Sequence, residues 1–143
     1  MSGVSVIRFL LANSAGLTAI VPATRIMAGD LPLNTPLPAI AETQVDSIPL
    51  NLLRVNDTPR VHTDRIQVSV ICKGPQTATP GTGYAGVKAL LALVLAACPS
   101  QRATVNGVSV DWIVPNLLGP DLSDDATAIY SQSRDFMVRW SGA

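Results

Sequence analysis

A chain of 143 residues accommodates one α+β domain over residues 1–143 with a single core, and leaves no room for a second domain of ordinary size. Ten basic and ten acidic residues cancel to a formal net charge of zero, which removes the electrostatic attraction expected of a dedicated nucleic-acid or membrane-surface binder. Charged residues make up 14% of the chain against roughly 25% in typical soluble domains, and mean hydropathy is +0.34. A surface so short of charge is either covered in part by neighbouring subunits or belongs to a monomer rich in Ala, Thr, Ser and Pro.

Val4, Ile7, Leu10 and Leu11, then Leu17, Ile20 and Val21 beyond a break at Asn13-Ser14, recur at helical spacing. The chain therefore opens with one helix, or a helix and a short second turn, ended by Pro22. Arg8 interrupts the apolar stretch from Val4 to Leu11, so no secretory signal is read there and a cytoplasmic product is expected. Gly29, Pro32, Pro36 and Pro38 punctuate an extended connection with a short strand at Arg25 to Met27. Alternation then predicts a strand from Ala39 to Val45, with Ala39, Ala41, Thr43 and Val45 on the apolar side and Glu42 and Gln44 facing away. A long loop is expected over Ile48 to Thr63. The clearest strand starts at Asp64, with Ile66, Val68, Val70 and Cys72 on one face and Arg65, Gln67 and Ser69 on the other.

Lys73 to Gly83, with its prolines and glycines, cannot be regular structure and leads into the strongest helical pattern, Tyr84 to Cys98, stopped by Pro99. One side of that helix carries Tyr84, Val87, Leu90, Leu91, Val94 and Cys98; the other carries Ala85, Ala89, Ala92 and Ala96, with Lys88 its only charge. Such a stripe fits a helix packed on both sides, and equally a helix that uses its best former outside. Asn106-Gly107 marks a two-residue hairpin turn, followed by a strand whose Val108, Val110, Trp112 and Val114 share a face. Leu117 to Ala128 reads as a loop, and Ile129 to Trp140 as a closing strand with Phe136, Val138 and Trp140 opposite Asp135, Met137 and Arg139. The order predicts an α+β fold: a two-layer sandwich with a mainly antiparallel sheet and two main helices on one face.

Residues able to do chemistry are sparse. His62, the only histidine, falls in the expected loop, so any Ser-His-Asp or Cys-His arrangement would have to pass through it. Cys72 and Cys98 are too few for a zinc site and are expected as buried thiols. Taking Asp121 as the first ligand of a calcium loop puts Ala126 at the sixth place and Gln132 at the twelfth, and the match fails. Gly81, Gly83 and Gly86 spell G-x-G-x-x-G, but nine residues of Pro/Thr-rich loop separate them from the preceding strand, and no acidic ribose ligand follows in a βαβ unit. No catalytic residue, metal or cofactor is expected. Arg54, Arg60 and Arg65 concentrate positive charge on the long loop and the strand it enters, and Asp121, Asp124 and Asp125 form an acidic loop; both read as solvated segments, and in a subunit of a larger assembly these six are the candidate interface residues, complementary between neighbours.

Four segments, in order, carry a resemblance. They are Gly16 to Ile26 after the opening helix, Pro36 to Ile40, Asp64 to Val70 leading through a loop to Tyr84 to Leu90, and the closing Ser133 to Trp140. The arrangement resembles the tail-terminator, or tail-completion, proteins of long-tailed phages and gene transfer particles, and it departs from the commoner pattern in the acidic loop and the Lys73 to Gly83 stretch. The resemblance implies a virion protein, assembled in the host cytoplasm, that forms a homohexameric ring on the last ring of tail-tube protein. That ring would stop tube growth and present a surface to the head-side connector or head-closure protein, with DNA passing through its lumen unread and no membrane involved. The alternatives are a head-closure or neck connector role, and a small-molecule-binding α+β domain.

Overall fold

The computed structural model describes residues 3–50, 61–124 and 126–141. Helix α1 (Gly3–Ala12) and the short α2 (Ala15–Thr18) meet at the break expected from Asn13-Ser14, where the Ser14 hydroxyl accepts from the Leu17 N–H and caps α2. A single 3₁₀ turn at Ala23–Arg25 follows Pro22 and delivers the chain to β1 (Ile26–Ala28). Then come β2 (Ala39–Pro49), β3 (Val61–Lys73), helix α3 (Gly83–Ala97), β4 (Ala103–Val105), β5 (Val108–Leu118), β6 (Leu122–Asp124) and β7 (Ile129–Ser141).

The strands form one sheet in the order β1-β2-β3-β7-β5-β4, with β6 beside β7 in line with β5. Every pairing among the described strands is antiparallel except β1 with β2. The fold is thus a mixed one, three helices and a sheet, compatible with the expected α+β class. At its centre β3 and β7 pair over their full length, from Val61 opposite Ser141 to Lys73 opposite Ile129. Period-2 alternation sends Ile66, Val68, Val70 and Cys72 of β3, with Phe136, Val138 and Trp140 of β7, into the core. There they meet Val6, Ile7 and Leu11 of α1, Leu17 of α2, and Val87, Leu90 and Val94 of α3. Both cysteines are free thiols in this core, and Asn106 (φ 50°) and Gly107 (φ 79°) make the β4–β5 turn with the positive φ values that the dipeptide predicts.

Several expectations are corrected. On β2 the inward face is the other one: Ile40 pairs with Val70 and Glu42 with Val68, and both are fully buried, whereas Thr43 and Val45 are exposed. Small residues on one parity and a lone Glu on the other make the pattern misleading; the register with β3, and Ile40 itself, decide it. On β5 a β-bulge between Val110 and Trp112 reverses the alternation, so Ile113 follows Val108 and Val110 into the core while Trp112 and Val114 lie on the outer face. Strands β2 and β3 run farther than expected, to Pro49 and from Val61, and β6 interrupts the expected Leu117 to Ala128 loop. His62 accordingly sits on a strand rather than in a loop, its ring stacked on Trp140 with centroids 4.8 Å apart.

Candidate interaction surfaces

Three of the six candidate interface residues lie outside the described residues: Arg54, Arg60 and Asp125. The other three engage partners within the chain. Arg65, on the outer face of β3, reaches across to β7, where its guanidinium lies 2.6 Å from the Asp135 carboxylate and its Nε donates to the same oxygen at 2.8 Å. Asp135 is 5% exposed, so the pair is half desolvated. Asp121 is held by α3: Lys88 Nζ donates to Oδ1 at 2.6 Å and the Tyr84 hydroxyl to Oδ2 at 2.9 Å, with Lys88 also over the Tyr84 ring at 4.9 Å. The Lys88 hydrogen bond is the main cause of a lowered Asp121 pKa, and Asp121 in turn raises that of Lys88. Lys88 further donates to Gln132 Oε1, and Gln132 donates to the Gly119 carbonyl at 2.7 Å, which ties the loop before β6 to the helix and the sheet together. Asp124 accepts from the Ala126 N–H at 3.0 Å and organises the turn into β7. The single charge on α3 and the first acidic residue of the loop therefore form one anchor, a pairing that sequence separation conceals.

The glycine pattern has a packing role. A Cβ on Gly86 would stand 2.7 Å from the Gly81 carbonyl carbon, and Gly81 and Gly83 have φ of +82° and +65°. The three glycines let the Pro/Thr-rich loop cross the first turn of α3 in contact with its backbone.

Two buried carboxylates complete the picture. Asp64 opens the core face of β3 and accepts from the Gly3 N–H at the start of α1 at 2.8 Å, from Trp140 Nε1 at 2.8 Å, and from the Ser47 hydroxyl. Helix, hairpin and closing strand are joined there. Glu42, fully buried on β2, has no hydrogen-bond partner for either carboxylate oxygen; burial lifts its pKa to about 8, against the pull of nearby Arg8. Burial likewise raises Cys72 to about 11 and Cys98 to about 12. Parity along β3 already turns Asp64 inward; nothing in the sequence signals Glu42 except its spacing from Ile40.

Among the described residues no three His, Cys, Asp or Glu side chains gather into a metal-holding group, and no helix is long and apolar enough to cross a membrane. What the surface does offer is apolar. Ala85, Ala89, Ala92, Leu95 and Ala96 are exposed on the outer side of α3, whose only charge, Lys88, is paired with Asp121. Val45 and Ile48 on β2, and Val114, Leu117 and Leu118 on β5, are exposed along the flanks of the sheet. An open hollow of about 600 Å³ lies between residues 31–37 and the ends of β3 and β7, with Leu33 almost fully exposed on its rim.

No protein-family model matches the sequence, and no curated protein does. Solved structures do match the fold. A chain from the virion of a native gene transfer agent particle superposes with a TM-score of 0.63 at 16% identity, covering 96% of this chain and 93% of that one. A second solved structure matches with a TM-score of 0.57 at 15% identity, over 92% and 89% of the two chains. The chain shares its fold, nearly end to end, with a component of a gene transfer agent virion.

Proposed function

We propose that this protein is a non-enzymatic structural component of a phage or gene-transfer-agent-like virion, and that within the virion it is the tail terminator. In this reading 1–143 is a single two-layer α+β domain, and copies form a homohexameric ring on the end of the tail tube. The ring ends tube elongation and provides the surface for the head-side connector. The observation that carries the reading is the end-to-end likeness to a chain of a gene transfer agent virion, joined to the order of the four sequence segments from Gly16 to Trp140. A surface poor in charge and rich in exposed apolar residues supports assembly with other subunits. The remaining charged candidates, Arg54, Arg60 and Asp125, would set register with neighbours more than affinity.

The test is electron microscopy of particles from a strain lacking this gene alone. Overlong or headless tails beside full heads are expected. Normal tails beside heads that leak or fail to join would move the role to head closure, and fully joined infectious particles would remove the virion reading.

A further inference from the structure

The sheet is open along both flanks at one level. β1 pairs only with Ile40 to Glu42 of β2, leaving Thr43 to Pro49 with no strand on its outer side among the described residues. β4 covers only Val108 to Val110 of β5, leaving Asp111 to Leu118 likewise open. The register places the two open stretches opposite each other across the sheet: Ile48 pairs with Thr63, Thr63 with Arg139, and Arg139 with Trp112. Exposed edges are usually blunted by lysines or other charges, prolines or bulges. Each stretch has one aspartate, Asp46 or Asp111, one proline, Pro49 or Pro115, and a bulge, but no lysine, and each also carries exposed apolar side chains, Val45 and Ile48 on one flank, Val114, Leu117 and Leu118 on the other.

From this geometry we infer that copies of this chain associate head to tail, the β2 flank of one against the β5 flank of the next. The inference deepens the proposed ring and rests on that reading. Strand direction selects this occupant. Between the flanks the strands β2, β3, β7 and β5 alternate in direction, four in all, so a copy placed alongside in the same orientation sets its β2 antiparallel to the first copy's β5. Alternation is kept, and the helices of both copies stay on the same side of the extended sheet. A two-fold contact, β2 on β2, would cover one apolar flank and leave the other bare, whereas the head-to-tail contact covers both with one repeated interface. Ile48, Val114 and Trp112 all lie on the outer face, so the apolar side chains of the two flanks fall on one side of the joined sheet. The bulges at Gln44/Asp46 and Val110/Trp112 sit on these two strands and add twist, so the joined sheets curve.

The experiment uses the full chain with Ile48→Cys or Val114→Cys, both exposed positions, treated with a short bismaleimide at protein concentrations up to about 1 mM. An equimolar mixture of the two single variants should give a covalent dimer that does not grow. The double variant should give a ladder of multimers. Each single variant alone should stay monomeric under the same treatment. A homodimer from Ile48→Cys alone would replace the head-to-tail contact with a two-fold one, and absence of product from the mixture would overturn it, circular dichroism having established that both variants fold. Gene-deletion particles test the virion role independently: defective tails without a ladder remove only this contact, and a ladder with normal particles removes only the virion role.

Discussion

Glu42 is a carboxyl group whose two oxygens are buried and make no hydrogen bond. Its folded pKa of about 8 lies above the ordinary value of 4.5. Between those values the unfolded chain has released the proton that the folded chain keeps. The contribution of Glu42 to stability is therefore fully present below about pH 4.5 and is lost as pH rises toward about 8, the reverse of the usual carboxylate dependence. Glu42→Leu should abolish this slope, stabilising the protein by on the order of several kcal/mol at pH 8 and far less at pH 5, as thermal melts across that range would record. Asp64 is the opposite case. Its three donors come from α1, β2 and β7, so Asp64→Ala strands a helix N–H and an indole N–H and should cost about 3 kcal/mol in urea unfolding. Trp140→Phe should cost less, because it removes one donor and leaves the carboxylate two.

At the scale of elements, two glycines separate steric contact from backbone strain. Gly107→Ala meets nothing within 4 Å but must hold φ at +79°, so about 1 kcal/mol is expected. Gly86→Ala adds helix propensity yet drives a methyl group into the Gly81 backbone, and the loop before α3 has to move. The melting temperature should fall further for Gly86→Ala than for Gly107→Ala, in spite of the better helix former. Elements with strong periodicity are legible in the amino-acid order itself: α1 and its break, the core parity of β3, α3 within a residue at each end, and the Asn106-Gly107 turn. What escapes such a reading is decided between strands. The bulge before Trp112 and the register of β2 depend on partners distant in sequence, and so do Arg65 with Asp135 and Lys88 with Asp121. Of the candidate charges, their existence is legible but not their engagement within the chain.

For the whole molecule, the alanine-lined outer side of α3 is the clearest feature that composition alone does not settle. Ala89 and Ala92 are exposed. Replacing both with lysine should leave unfolding free energy within about 0.5 kcal/mol per site, because neither side chain has a buried contact to lose. A larger loss in thermal melts would mean that this side of the helix packs on the rest of the chain. The fold is shared with a gene transfer agent virion chain at 16% identity, so a similar backbone is reached with a largely different sequence.

Burial of the two cysteines makes them clocks. Thiolate is the reacting species, and with Cys72 raised to about 11 and Cys98 to about 12 almost none forms while the core is closed. Alkylation at neutral pH must then wait for the fold to open. Cys98 stands just beyond the last turn of α3, whereas Cys72 lies on the central strand β3. Timed labelling followed by mass spectrometry should thus report Cys98 first, as the helix end frays, and Cys72 only as often as the whole sheet comes apart.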